Sequence, residues 1–218
     1  HGVGPVRDTR GGSSAGYGRW RTFRDAKLAR YAELRNDPLA DGVSRLSAYL
    51  HYGMISPFRV ATEAVRAGGD GAERFSDELL TWREVAWHWC AHVEDPENLA
   101  ALPKWARETL AEHDTDDRDP KTWEELSRAK TGDALWDAAQ RSLLRHGELH
   151  NNVRMTWGKA IPGWTRTPRE ALGTLIDLNH RYALDGRDPA SYGGLLWCLG
   201  LFDRPFEPSP VLGAVRAR

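Results

Sequence analysis

Apolar residues recur along this chain every three to five positions, and nowhere do they alternate over a convincing length, so a body made of helices alone is expected. From Ser14 the positions Tyr17, Trp20, Phe23 and Leu28, then Tyr31 and Leu34, predict one helix ending near Asn36-Asp37-Pro38. Ser56-Pro57 is a cap followed by proline in the first turn, which opens a helix that runs to Gly68-Gly69. Another helix is expected to begin near Ser76, with Glu78 and Trp82 four apart on one face. Residues 94–132 are richer in Pro, Asp and Glu, with a short helix after Pro103 and a capping box at Thr122-Trp123-Glu124-Glu125. Asp133 opens a helix through Leu135, Trp136, Ala139 and Leu143 that Gly147 stops. A second box, Thr167-Pro168-Arg169-Glu170, starts a helix whose apolar face is interrupted by Asn179.

Between those last two helices lies the stretch of most chemical interest, Leu149 to Ala160. At helical spacing His150, Val153, Trp157 and Ile161 share one side, while Asn151, Arg154 and Gly158 form a polar stripe. A half-buried Arg needs a partner, and Asp185, past the end of the following helix, is the nearby candidate. Such a pair is either a structural ion pair or the border of a flat polar ring. Two other places carry the same ambiguity. Ser44, before the helix at Leu46–Leu50, either caps it or helps hold a phosphate. Glu78 beside Trp82 is either a surface pair or a heterocycle-stacking corner.

Composition narrows the classes. A chain of 218 residues buries one sizeable core without metal or disulfide; residues 1–13 lack periodicity and read as an arm or linker, and 14–218 as one domain. Its two cysteines, Cys90 and Cys198, sit in apolar runs without metal-site spacing, so no metal is expected and the compartment is reducing. No long apolar span or export signal is visible, which suggests a soluble cytoplasmic protein. With 30 Lys+Arg against 31 Asp+Glu, any nucleic-acid contact must come from a local patch. Ten tryptophans are many for this length, and packing is the default use of each.

Five segments in order, namely Ser44–Gly53 with Ile55-Ser56-Pro57, Glu78–Glu84, Lys130–Trp136, His150–Trp157 and Leu184–Pro189, resemble the flavin-binding helical domain of the cryptochrome/photolyase superfamily, and within it the class II cyclobutane-pyrimidine-dimer photolyases. The resemblance implies FAD as cofactor and damaged DNA as partner, with light-driven repair of pyrimidine dimers by a carbon–carbon lyase. It implies that Tyr31, Ser44, Leu46 and Ser47 hold the pyrophosphate region, that Arg83 and Asn151 line the cofactor, and that Arg154 and Asp185 pair against the ring. Asn179 would face flavin N5, since Ser191 stands where other branches place their N5 asparagine. Glu78 would hydrogen-bond the dimer, with Trp82, Met155 and Trp197 packed against it. Trp157 and Trp136 resemble an electron relay that Trp164 extends. Members of the superfamily also carry an N-terminal α/β antenna domain; its absence here suggests a fragment or a stand-alone flavin domain. A blue-light sensor, a light-independent flavoenzyme and a flavin-free helical module are the rival expectations.

Overall fold

The computed structural model describes residues 3–218, so His1 and Gly2 of the expected arm lie outside the described residues. The described residues form twelve α-helices, three short 3-10 turns and one π-type turn, and the sole extended pairing among them is one isolated bridge between Ser209 and Gly213. The all-α expectation therefore holds. None of these helices is long and apolar enough to cross a membrane.

Two hydrophobic cores organise the helices. The first gathers α1 (Ser13–Ala26), α2 (Tyr31–Leu34), α3 (Ser47–His51), α4 (Pro57–Ala67) and α5 (Asp70–Asp77) around Trp20, Phe23, Tyr31 and Phe75. Trp20 and Phe75 stack at 5.5 Å, and Phe23 meets Tyr31 edge-on at 5.7 Å. The indole N–H of fully buried Trp20 donates to Glu63 at 2.7 Å, so its area is buried without an orphaned donor. The second core joins α7 (Lys104–Glu112), α8 (Trp123–Ser127), α9 (Ala134–His146), α10 (Asn151–Ala160), α11 (Pro168–Tyr182) and α12 (Pro189–Trp197) around Trp136, Trp157, Leu172 and Leu175. Between the two runs α6 (Arg83–His92), which packs on α12.

Most helix ends follow the expected chemistry. Ser56 accepts from the Arg59 N–H, Asp133 from Leu135 and Trp136, and Gly147 closes α9 in the left-handed region at φ 66°. The box at Thr122 is complete in both directions. That at Thr167 is half a box: Thr167 accepts from the Glu170 N–H, but the Glu170 carboxylate turns to the Arg166 N–H instead.

Two expectations need correcting. The single helix expected from Ser14 to Leu34 is broken at Lys27, where Gly71 of α5 packs directly onto the carbonyls of Leu28 and Ala29; a Cβ there would lie 2.0 Å from the Leu28 oxygen. The helix expected near Ser76 starts six residues earlier, at Asp70, capped by Gly69 and carrying Asp70 and Glu73 in its first turn. It then passes without interruption through a π-type turn, Glu78–Trp82, into α6. The described part of the expected arm bonds to the helices: the Tyr49 hydroxyl donates to the Arg10 carbonyl at 2.7 Å, and Asp8 pairs with His146 at 2.5 Å.

Candidate functional site

A cavity of about 1280 Å³ opens along the seam between the two cores. Its walls come from the 41–50 loop and α3, the α5–α6 run with its π-type turn, the α9–α10 loop, α10, and the first turns of α12. Pockets for drug-sized molecules span roughly 300–1,000 Å³, so a larger ligand is accommodated. Several polar bonds cross the seam at its rim. Arg45 pairs with Glu148, and Asn152 donates to the Asn36 carbonyl at 2.9 Å; within the first half, Arg35 reaches Glu78 at 2.5 Å.

The centre of the wall is Arg154. Its Nη2 lies 3.0 Å and 3.2 Å from the two carboxylate oxygens of Asp185, and its Nη1 lies 3.3 Å from both Asp185 Oδ2 and Ser191 Oγ. Both side chains of the pair are 12% exposed, so the charges meet with little water between them. The turn that presents Asp185 depends on Gly186, where a Cβ would press on the Asn179 and Ala183 carbonyls at 2.9 and 3.0 Å.

Most residues expected at the site line this cavity together: Tyr31, Ser44, Leu46, Ser47, Glu78, Trp82, Arg83, Asn151, Arg154, Met155, Asp185 and Trp197. Ser44 does not cap α3, whose N-cap is Leu46 with no side-chain bond, and no protein group among the described residues hydrogen-bonds the Ser44 or Ser47 hydroxyls. Arg45 between them sits at φ 53°, backbone that a non-glycine residue adopts at a cost. Trp82 packs on Trp197 with centroids 5.1 Å apart. Glu78 Oε1 accepts from Arg35 at 2.5 Å and from Arg74 at 2.7 Å, leaving Oε2 without a protein donor among the described residues. Arg83 spreads over Trp87 at 4.9 Å and pairs with Glu84.

Four expected residues lie away from the cavity. Trp157 and Trp136 are each 1% exposed in the second core, stacked with centroids 5.9 Å apart and planes 8° from parallel. Half-buried Trp164 meets Trp136 edge-on at 5.3 Å. The Trp157 N–H donates to Gln140 and the Trp136 N–H to the Trp157 carbonyl, which fixes both rings. Asn179 is 1% exposed and also off the cavity wall; its amide nitrogen donates to the Gly186 carbonyl at 3.1 Å and to Ser191 Oγ at 2.8 Å.

Other wall residues escaped the sequence. Asp188 caps α12 through Oδ1, while its buried Oδ2 has no hydrogen-bond partner, with His51 at 3.4 Å and Arg83 at 3.9 Å. His150 caps α10 and leaves a buried Nε2 unpartnered; burial lowers its pKa below the ordinary value. Lys159, buried and likewise shifted down by desolvation, reaches among the described residues only the Ala217 carbonyl, at 3.5 Å. A cap position such as Asp188-Pro189 was readable in the sequence; that one of its oxygens would be orphaned on a cavity was not. Among the described residues no cluster of His, Cys, Asp or Glu is placed to hold a metal ion.

Uncommitted serine hydroxyls, an orphaned carboxylate oxygen and a dry guanidinium–carboxylate pair around one long cavity fit a ligand with phosphates at one end and a polar ring at the other. The fold and site thus define a helical domain for a bulky dinucleotide cofactor. Residues 75–160 match the family described as the FAD binding domain of DNA photolyase. The deoxyribodipyrimidine photo-lyase of Methanothermobacter thermautotrophicus is 37% identical over 208 residues, covering 95% of this chain and 46% of that protein. That of Oryza sativa subsp. japonica is 40% identical over 200 residues, covering 89% of this chain and 40% of its own. The crystal structure of a class III photolyase from Agrobacterium tumefaciens superposes with a TM-score of 0.71 at 25% identity, over 87% of this chain and 38% of that one. The chain belongs to the cryptochrome/photolyase superfamily and carries its FAD-binding helical domain. It spans less than half the length of these curated relatives.

Proposed function

We propose that this domain holds FAD and serves light-driven repair of cyclobutane pyrimidine dimers in DNA, with its affinities closest to the class II photolyases. The observation that carries the reading is the conjunction of one cavity, walled by Arg154–Asp185 and the Trp82–Trp197 corner, with a separate tryptophan stack leading outward from the core. FAD, when bound, supplies the one-electron chemistry that opens the cyclobutane ring. The chain's own residues position and insulate. Ser44 and Ser47 offer hydroxyls to the phosphates, with Tyr31 and Leu46 beside them and Asn151 and Arg83 along the same wall. Arg154 and Asp185 present a fixed dipole to the ring in a dry setting, where it is worth more than in water.

At the mouth, Trp82, Met155 and Trp197 provide the apolar and aromatic surface that a flipped base pair-mate requires, and Glu78 Oε2 is the acceptor for base N–H groups. Trp157, Trp136 and Trp164 supply a route for an electron between core and surface. Their rings are in contact, and the two inner ones exclude water. Burial holds the Cys90 thiol up at about 11 and that of Cys198 up at about 12, so both stay protonated, in keeping with a reducing cytoplasm. The test is to illuminate the reduced, flavin-loaded protein with a dimer-containing oligonucleotide and quantify restored monomer bases. Efficient photoreduction with neither dimer binding nor repair would assign the domain to blue-light sensing instead.

A further inference from the structure

Among the described residues four indole N–H groups find an oxygen acceptor, and the acceptors divide by charge. Trp20 donates to the Glu63 carboxylate and Trp123 to that of Asp177, each at 2.7 Å. The two indoles stacked in the second core have neutral acceptors instead: Trp157 donates to Gln140 Oε1 at 3.0 Å, and Trp136 to the Trp157 carbonyl at 2.9 Å. Gln140 is 0% exposed, and its Nε2 turns to the Ser127 carbonyl at 3.5 Å. A flipped amide would set N–H against N–H on one side and oxygen against oxygen on the other, so the orientation is fixed.

Loss of an electron makes an indole N–H strongly acidic, and the acceptor it faces then decides whether the proton stays. A carboxylate can take it; a carboxamide oxygen is too weak a base and only accepts the hydrogen bond. We propose that Gln140 is a positioning residue for the electron relay: it accepts the Trp157 N–H without being able to remove its proton, stabilises the oxidised ring as a cation, and lets the charge pass to Trp136 with no proton transfer. The inference rests on the FAD and relay readings above. One electron leaves the Trp157 ring for the photoexcited flavin, and one electron from Trp136 then replaces it. The Trp157 N–H bond is never broken, and the vacancy has moved to Trp136, whose ring lies 8° from parallel with it. A hydrogen bond to a charged partner is about twice as strong as a neutral one, so the Gln140 bond tightens when Trp157 is oxidised. Both rings are 1% exposed, which leaves no water to substitute for it.

The experiment is flash absorption on the flavin-loaded protein, read at the visible bands that separate the indole radical cation from the deprotonated neutral radical. Gln140→Leu should slow photoreduction about ten-fold, the factor for one hydrogen bond to a charged group, at unchanged flavin content. In the cofactor-free protein the same substitution should move the Trp157 N–H resonance upfield. Gln140→Glu separates the proposal from a packing role. Burial raises a carboxyl pKa, and while protonated the new side chain keeps a carbonyl for Trp157 and a donor for Ser127, so the rate should return. Once ionised it should take the Trp157 proton. In a Trp164→Phe background, which confines the vacancy to the stacked pair, the cation band should then give way to the neutral-radical band as pH rises, while Trp164→Phe alone shows the cation throughout. Failure of the unsubstituted protein to take up FAD, or photoreduction untouched by Trp157→Phe, would overturn the readings beneath the proposal. With both readings standing, Gln140→Leu at the original rate would overturn the proposal alone, as would a cation that persists after infrared spectra show the introduced carboxyl ionised.

Discussion

Replacing Arg154 with alanine leaves Asp185 facing the cavity with no cation against it. Removing one partner of a fully buried pair costs about 3–5 kcal/mol, because the remaining charge stays desolvated. Here both side chains keep 12% exposure and the cavity can admit water, so solvent offsets part of that penalty. We expect about 2–3 kcal/mol. At 218 residues, each kcal/mol moves the midpoint by about 2–4 °C, so the cofactor-free variant should melt about 4–12 °C lower. Thermal unfolding by circular dichroism measures this, alongside FAD titration. The double variant Arg154→Met/Asp185→Leu removes both charges together. It should regain most of the stability and none of the flavin affinity. A loss below about 0.5 kcal/mol in the single variant, within ordinary surface-mutation scatter, would mean the pair is solvated. Wild-type FAD affinity in the double variant would take the pair out of the cofactor site.

Trp157→Phe should slow flavin photoreduction while leaving bound flavin unchanged, and should cost about 1–3 kcal/mol by depriving buried Gln140 Oε1 of its donor; photoreduction at the original rate, read by flash absorption, would remove the residue from the relay. Glu78→Ala should depress dimer repair far more than FAD affinity, with a stability change near 1 kcal/mol since the carboxylate it removes is 26% exposed. Equal loss of repair and of cofactor would make Glu78 structural. Burial lowers the pKa of His150 and His180 in the fold, so the unfolded chain binds more protons as pH falls past the ordinary value of 6.5. Their contribution to stability is therefore complete at neutral pH and lost on acidification. Melts between about pH 7 and pH 5 should show the midpoint falling, with a flatter slope in His150→Gln; an unchanged slope in that variant would count against the buried neutral imidazole.

The parts of this molecule legible in its sequence are those governed by local chemistry. Caps at Ser56, Thr122, Asp133 and Thr167, the stop at Gly147, and the polar stripe on α10 are all set within one or two turns of chain. Arg154 could be matched to Asp185 because a half-buried guanidinium demands a carboxylate and few were near. What escaped depends on neighbours distant in sequence. Lys27 breaks its helix because Gly71 arrives against the next turn, a contact invisible to periodicity. The π-type turn at Glu78–Trp82 was not visible in the spacing, nor was the pairing of Glu78 with Arg35, forty-three residues back. Asn179 interrupts an apolar face, and a polar residue there had to have a purpose. That its amide nitrogen would donate to the hydroxyl of Ser191, twelve residues on, could not be read from the pattern.

Because the cavity runs along the seam, its walls belong to both cores: Tyr31, Leu46, Phe75 and Leu79 on one side, Leu149, Val153, Met155 and Phe202 on the other. A molecule lodged there is an interior surface shared by two halves that otherwise meet mainly through α6 and a few polar bridges. Its departure does more than subtract binding energy from the total. It uncouples two cooperative units, so that the empty protein should open half by half under denaturant where the filled one opens in a single transition.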